Sequence, residues 1–221
     1  CERKTGDDNA LLDTLSDYLR VFPEDYSTRV IAAGLAGDLG NIKALNTLVE
    51  GSLRTTGLSG EENELFWVFI DSLIKNRHLE RASRALDSQI EFAPLGSETW
   101  LALTGKRAQI LKLMNLTYEV EQLLRQRSAF APGRIQSVLD LAENSLENRD
   151  IASLRVWLSV TQRKISLKSD SEHLDTLKSR VSYLGMRFDE IKGKHEKYQN
   201  DAEKYLLSRK KSDRLTEEDL N

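Results

Sequence analysis
Cysteine occurs once in the 221 residues, at Cys1. One thiol forms neither an internal disulfide nor a multi-cysteine metal site. Proline occurs three times and glycine twelve, too few for a turn-rich all-β fold or a disordered chain. An excess of charge of one sign is also missing. Lysine and arginine number 32 against 35 aspartates and glutamates, a net −3, so there is no whole-chain case for nucleic acid or for an anionic membrane surface. No apolar run approaches the roughly 20 residues of a membrane-spanning helix. Histidine occurs only as His78, His173 and His195. No two of these stand at i, i+4, so no helix face gathers two imidazole ligands. Gly34, Gly37 and Gly40 follow a helical pattern rather than a strand, and no Lys-Ser/Thr comes after them, which argues against a phosphate cradle. No serine sits in a strained strand-to-helix turn. The basic run Arg209, Lys210, Lys211 and Arg214 is followed at once by Glu217, Glu218 and Asp219, the pattern of a solvated tail. These absences lead to an expectation of no enzyme activity, no catalytic residues, no metal, no cofactor and no small-molecule substrate.

What is present is helix after helix. Leucine, alanine, glutamate, lysine, arginine and serine dominate, and apolar residues recur at three- and four-residue steps. Asp8 or Asn9 is placed to cap a helix from about Ala10, with Leu11, Leu12, Leu15, Leu19 and Val21 on its buried side. Phe22-Pro23 stops it. A second helix is expected over Glu24 to about Ala36, then a turn at Gly37-Asp38-Leu39-Gly40-Asn41. A third carries Ile42, Leu45, Leu48, Val49 and Leu53, before a break at Gly57-Leu58-Ser59-Gly60. Glu61, Glu62 and Glu64 begin the next helix, where acidic side chains complement the macrodipole.

From Glu61 the pattern sharpens. Phe66, Phe69, Ile70, Leu73 and Ile74 make one stripe. Asn76-Arg77-His78 is a turn, and Leu79, Ala82, Leu86 and Ile90 make the next stripe before Ala93-Pro94. This helix pair of about 34 residues resembles a tetratricopeptide repeat in Phe66, Leu73, Leu79, Ala82, Leu86 and Pro94. It departs from that family at Ile70, where the family has glycine or alanine. Gln89 to Pro94 (QIEFAP) and Arg127 to Pro132 (RSAFAP) are similar helix endings set 38 residues apart. Trp100, Leu103 and Gly105 open a third pair that looks longer than the repeat consensus. Val138, Leu141, Ala142, Ile151, Leu154 and Leu158 form a fourth around Asn148-Arg149-Asp150. The resemblance implies an all-α right-handed solenoid of about four degenerate pairs over residues 10–167, stacked to form one core. In that family the first helix of each pair lines the concave side. Carried onto this chain, the partner-binding groove is expected at Glu64, Trp67, Asp71 and Lys75, with Trp67 either an exposed anchor or packed against the neighbouring repeat. In the fourth pair the same face holds Gln136, Leu139, Glu143 and Glu147. Trp100 and Trp157 are expected in the core.

After a linker at Lys168-Ser169-Asp170-Ser171 comes the most regular pattern in the chain. Leu174, Leu177, Val181, Leu184, Phe188, Ile191, His195, Tyr198, Ala202 and Tyr205 follow 3, 4 steps throughout. This predicts one long helix over 168–207 with a narrow apolar seam, then a polar tail over 208–221. The seam is flanked by Lys178, Arg180, Gly185, Arg187, Lys192, Lys194, Gln199 and Asp201, mostly basic, so pairing with a second copy sets like charges opposite each other. Docking on the last solenoid helices, or on a partner with acidic flanks, is the expectation.

Cys1 and the polar stretch that follows (Glu2 to Asn9) resemble the start of a mature bacterial lipoprotein, whose first cysteine carries acyl chains. The resemblance implies lipidation at Cys1 and a flexible tether over residues 1–9. Because Glu2 is not aspartate, it also implies an address at the outer membrane, facing the periplasm. Lipoproteins of this build serve secretins, pili, secretion, polysaccharide export and outer-membrane assembly. The expected function is therefore a non-catalytic scaffold, an accessory or assembly factor that binds other proteins of an envelope complex and the membrane through its acyl chains. The alternative is a soluble cytoplasmic helical-repeat adaptor or chaperone, with Cys1 a ligation handle or a trimmed start.

Overall fold
A computed structural model describes residues 5–50, 60–167 and 174–218. Over these the chain is all-α, with ten helices and no strand: α1 (Thr5–Val21), α2 (Tyr26–Asp38), α3 (Ile42–Val49), α4 (Gly60–Lys75), α5 (Leu79–Ile90), α6 (Glu98–Leu113), α7 (Thr117–Phe130), α8 (Ile135–Glu147), α9 (Ile151–Ser166) and α10 (Leu174–Glu218). Two expected boundaries are corrected. Helix α1 begins at Thr5, so residues 5–9 are helical rather than tether, with Asp7 and Asp8 in the first turn, where carboxylates suit the helix dipole. Helix α10 runs on to Glu218, through most of the stretch expected to be a tail. Cys1, Glu2, Leu53, Gly57 to Ser59, the linker Lys168 to Ser171, His173 and the last three residues lie outside the described residues.

Local chemistry starts several helices. The Asp25, Asn41, Ser97 and Asp150 side chains accept the N–H groups of Thr28, Ala44, Trp100 and Ser153 at 3.0–3.1 Å, filling donors that the first turn leaves open. One turn recurs between paired helices. Gly40, Arg77, Asn115 and Arg149 all take positive φ, at 69°, 64°, 59° and 56°. In each case the following N–H reaches back to close the helix: Asn41 to the Ala36 carbonyl, His78 to Leu73, Leu116 to Leu111 and Asp150 to Ser145. This left-handed cap satisfies orphan carbonyls at the helix end. It joins α2 to α3, α4 to α5, α6 to α7 and α8 to α9. The turn at Asn115 was not singled out in the sequence, although asparagine is among the residues that tolerate this conformation.

The chain divides into two compact units, Cys1–Leu123 and Leu124–Asn221, where one continuous segment over 10–167 was expected. In the first, α2 and α4 make the closest pair. Helix α2 presents Ala32, Ala33, Ala36 and Gly37, all buried, to a face of α4 that carries Phe66, Phe69, Ile70 and Leu73. The small face lets the two backbones approach, so that a β-carbon at Gly37 would stand 2.0 Å from Ser72 Oγ. Asn76 Nδ2 donates to the Gly37 and Ser72 carbonyls at 2.8 and 2.9 Å, holding the two helix ends together. Ile70 is fully buried, and the small residues at this contact sit on α2. Each such buried aliphatic or aromatic side chain contributes about 1.5–3 kcal/mol relative to exposure. In the second unit, Leu139, Ala142, Leu154 and Leu158 of α8 and α9 form a core with Val181 and Leu184 of α10.

Candidate partner-binding surfaces
In the first unit the expected groove residues all lie on α4, but they are not equally free. Glu64 is exposed. Asp71 pairs with Lys106 of α6 at 2.6 Å, and Lys75 with Asp38 of α2 at 2.8 Å. Both ions are therefore engaged with neighbouring helices, and the Lys75–Asp38 pair, exposed on both sides, is worth about 0.2–1 kcal/mol. Of the two expectations for Trp67, an exposed anchor and a packed side chain, the structure is nearer the second. The side chain is half-buried and packs against the core, with its ring edge-on to Phe66 at 5.4 Å. Helix α4 is contacted by α2, α3 and α5, so its apolar arc is wider than one stripe and takes in both aromatic neighbours. Trp100 is buried, as expected, and Trp157 half-buried beneath Arg125, whose guanidinium lies 5.7 Å from the ring.

In the second unit the expected groove is already occupied by the chain itself. Val181 and Leu184 are buried against α8 and α9, and Leu177 and Phe188 pack half-buried beside them. Leu139, expected in the open groove, lies fully buried under this contact. Arg180 fastens it. Its Nε and Nη2 donate to Glu143 Oε1 at 3.0 and 2.6 Å, and its Nη1 donates to Gln136 Oε1 at 2.8 Å. Gln136 in turn donates to Asp140 at 2.5 Å, and Asp140 stands 3.7 Å from Arg127. Burial pushes the Arg127 guanidinium below its usual range, with the Asp140 charge opposing the shift. The structure thus brings Gln136, Glu143 and the first half of the seam together, and the two groove residues face this chain's own helix. The acidic side chains of α8 were the available signal, since they complement the basic flank of the seam. Glu147 is exposed, and Ile191 is half-buried at the end of the docked section. The side chains of Leu174, His195 and Tyr198 lie outside the described residues. From Lys192 to Glu203, each described side chain is exposed.

Comparison with protein-family models, curated proteins and solved structures finds no match to this chain.

Among the described residues no group of three or more His, Cys, Asp or Glu side chains is placed to hold a metal ion, and no helix is long and apolar enough to cross a membrane. His78 is exposed at the start of α5 and makes no capping bond. The Asp150 carboxyl is held below its usual range, first by the hydroxyl and then by the N–H of Ser153, which is a capping role.

Proposed function
We propose that this chain is a non-catalytic scaffold for protein–protein interaction, built as a solenoid of about four degenerate tetratricopeptide-like helix pairs followed by a long helix. The repeat reading is supported by the one turn recurring at Gly40, Arg77, Asn115 and Arg149, at intervals of 37, 38 and 34 residues. The observation that carries the functional reading is the seating of α10 on α8 and α9. An amphipathic helix laid by its apolar seam into a groove, with an arginine clamped on a carboxylate, is a mode of peptide recognition. The fold performs it on its own helix, and the corresponding face of α4 offers Glu64 and the edge of Trp67 to another chain. The address proposed with it is the periplasmic face of the outer membrane, through acyl chains on Cys1, each buried CH₂ adding about 0.8 kcal/mol. The partners are then proteins of an envelope complex.

Two experiments test this. A photo-reactive amino acid in place of Glu64, in cells expressing the full natural gene, is expected to yield a discrete protein adduct. Scanning the exposed positions of α2, α4 and α6 without finding any adduct would sink the scaffold reading. The intact mass of the detergent-extracted product is expected to exceed the polypeptide by several acyl chains. An unmodified chain from the soluble fraction favours the cytoplasmic adaptor instead.

A further inference from the structure
We infer that the arginine-lined recess beside α5 binds another protein through a segment that carries carboxylates next to apolar side chains. The recess, of about 570 Å³, lies wholly within the first unit, where the first turns of α5 meet the end of α6. Leu79 and Met114, both half-buried, supply its apolar surface. Arg77, Arg81 and Arg84 stand around it, all exposed. Arg77 and Arg84 form no ion pair among the described residues. Arg81 lies over the Phe69 ring, 5.9 Å from its centre, which steadies the guanidinium without using its N–H groups. Glu80, the one carboxylate in the lining, pairs with none of the three. Other arginines of this unit are committed, Arg20 to Asp17 and Arg107 to Asp87. Three guanidiniums left without a carboxylate around one recess are the departure from that pattern.

Charge decides what such a recess takes. Residues 1–123 carry 13 lysines and arginines against 19 aspartates and glutamates, a net −6. That field repels a polyanion at long range, so neither a nucleic acid strand nor an anionic bilayer suits this surface. A protein segment with a few carboxylates meets the recess within the Debye length of about 8–10 Å, where the arginines outnumber the single Glu80. A guanidinium fork matches a carboxylate in two parallel, charge-assisted bonds. Apolar surface continues beside the recess. Leu113, next along the chain to Met114, is 42% exposed, and Tyr118 in the first turn of α7 is 70% exposed. A free phosphate uses none of that surface, whereas a leucine set beside a glutamate covers it. Arginine, methionine and tyrosine are also the side chains in which protein interfaces are enriched.

The inference rests on the scaffold reading and gives it a second contact surface, separate from Glu64 and Trp67 on α4. Its test uses the full chain and a fluorescent peptide of about twelve residues, glutamate and leucine at helical spacing, read by anisotropy. The peptide should bind with a Kd below about 1 mM, and more weakly as salt is added. Its counterpart with glutamine for glutamate should bind about tenfold more weakly or worse. Arg77→Glu with Arg84→Glu should weaken binding of the glutamate peptide by about tenfold or more, and Arg84→Gln alone by about threefold. Arg163→Glu with Lys197→Glu, two exposed cations of the second unit, changes the net charge equally and should leave binding unaltered. Glu80→Gln should tighten it. Each variant is checked for an unchanged helical circular dichroism spectrum. No binding, equal binding of the glutamine peptide, or equal loss from both charge reversals overturns the proposal. So does displacement of the peptide by an oligonucleotide of equal charge. A peptide that fails to bind while α4 yields its adducts sinks this inference alone. A lack of any adduct while the peptide binds is the failure of the scaffold reading.

Discussion
Replacing Gly37 by alanine is expected to destabilise the first unit, although alanine is the better helix former. The added β-carbon would lie 2.0 Å from Ser72 Oγ, 2.5 Å from Ser72 Cβ and 3.5 Å from Ser72 Cα. The hydroxyl can rotate away. The Ser72 β-carbon cannot, because it moves only with the backbone of α4. Restoring an ordinary carbon–carbon separation of about 3.5–4.0 Å therefore requires α2 and α4 to part by about 1 Å, loosening contacts along their length. Overpacking of this kind costs about 1–3 kcal/mol, and here the upper end applies, because both helices are locked by the Asn76 bonds. The gain in helix propensity, about 1 kcal/mol, offsets part of it and leaves a net loss of about 2 kcal/mol. Gly34 is the internal control. A β-carbon there meets nothing closer than Val68 Cγ1 at 4.0 Å, so Gly34→Ala in the same helix should stabilise by up to about 1 kcal/mol. Urea unfolding in a Trp157→Phe background reads this directly, because the remaining tryptophans, Trp67 and Trp100, both lie in the first unit. Moving the small residue across the contact, as Gly37→Ala with Ser72→Gly, should recover much of the loss and give a coupling energy of about 1–2 kcal/mol. If Gly37→Ala is as stable as Gly34→Ala, or the two changes at the contact add independently, the close approach of α2 and α4 is wrong.

Arg77 holds φ 64° without the freedom of glycine, so Arg77→Gly should raise the unfolding free energy by about 0.5–1 kcal/mol, measured by denaturant midpoint. Leu184→Ala, emptying a side chain 2% exposed in the α8–α9–α10 core, should cost about 2–4 kcal/mol in the unfolding of the second unit. Arg180→Ala leaves the seam intact but removes three bonds to Glu143 and Gln136. Faster hydrogen exchange over residues 176–190, by about tenfold, is the expected readout, with α4 unchanged as the control. Asp150 has its carboxyl depressed below 3.8 in the folded chain. Its contribution is complete above that value and is lost as the pH falls through the depressed one. Asp150→Asn should remove that acid dependence while keeping the cap, and Asp150→Ala should also lower stability by about 1 kcal/mol at neutral pH.

Much of the helix layout was legible because it is written in short-range terms. Stripes at three- and four-residue steps located the helices, and Gly40, Asn76 and Asn148 marked three of the four turns. Pro23 and Pro94 lie between helices as the sequence implied. The turn at Asn115 escaped because Leu113, Met114 and Leu116 surround it with apolar residues that read as continuous helix. The extent of α10 was underestimated for the opposite reason: its last turns are polar, and polarity alone does not distinguish a solvated helix from a tail.

What the sequence determined by itself was the all-helical class, the position of most breaks and the seam of α10, since each follows from periodicity and turn chemistry within a few residues. What only the tertiary structure decided was which surfaces are spent. Gln136 and Glu143 look like open groove until Arg180, 44 and 37 residues away, closes over them. Trp67 reads equally as exposed or packed until α4 is found wedged among α2, α3 and α5. Gly37 looks like part of a loose glycine cluster until Ser72 arrives across the helix contact. Each of these turns on which distant side chain comes to rest against a face. A one-dimensional pattern can mark the face, but it cannot name what covers it.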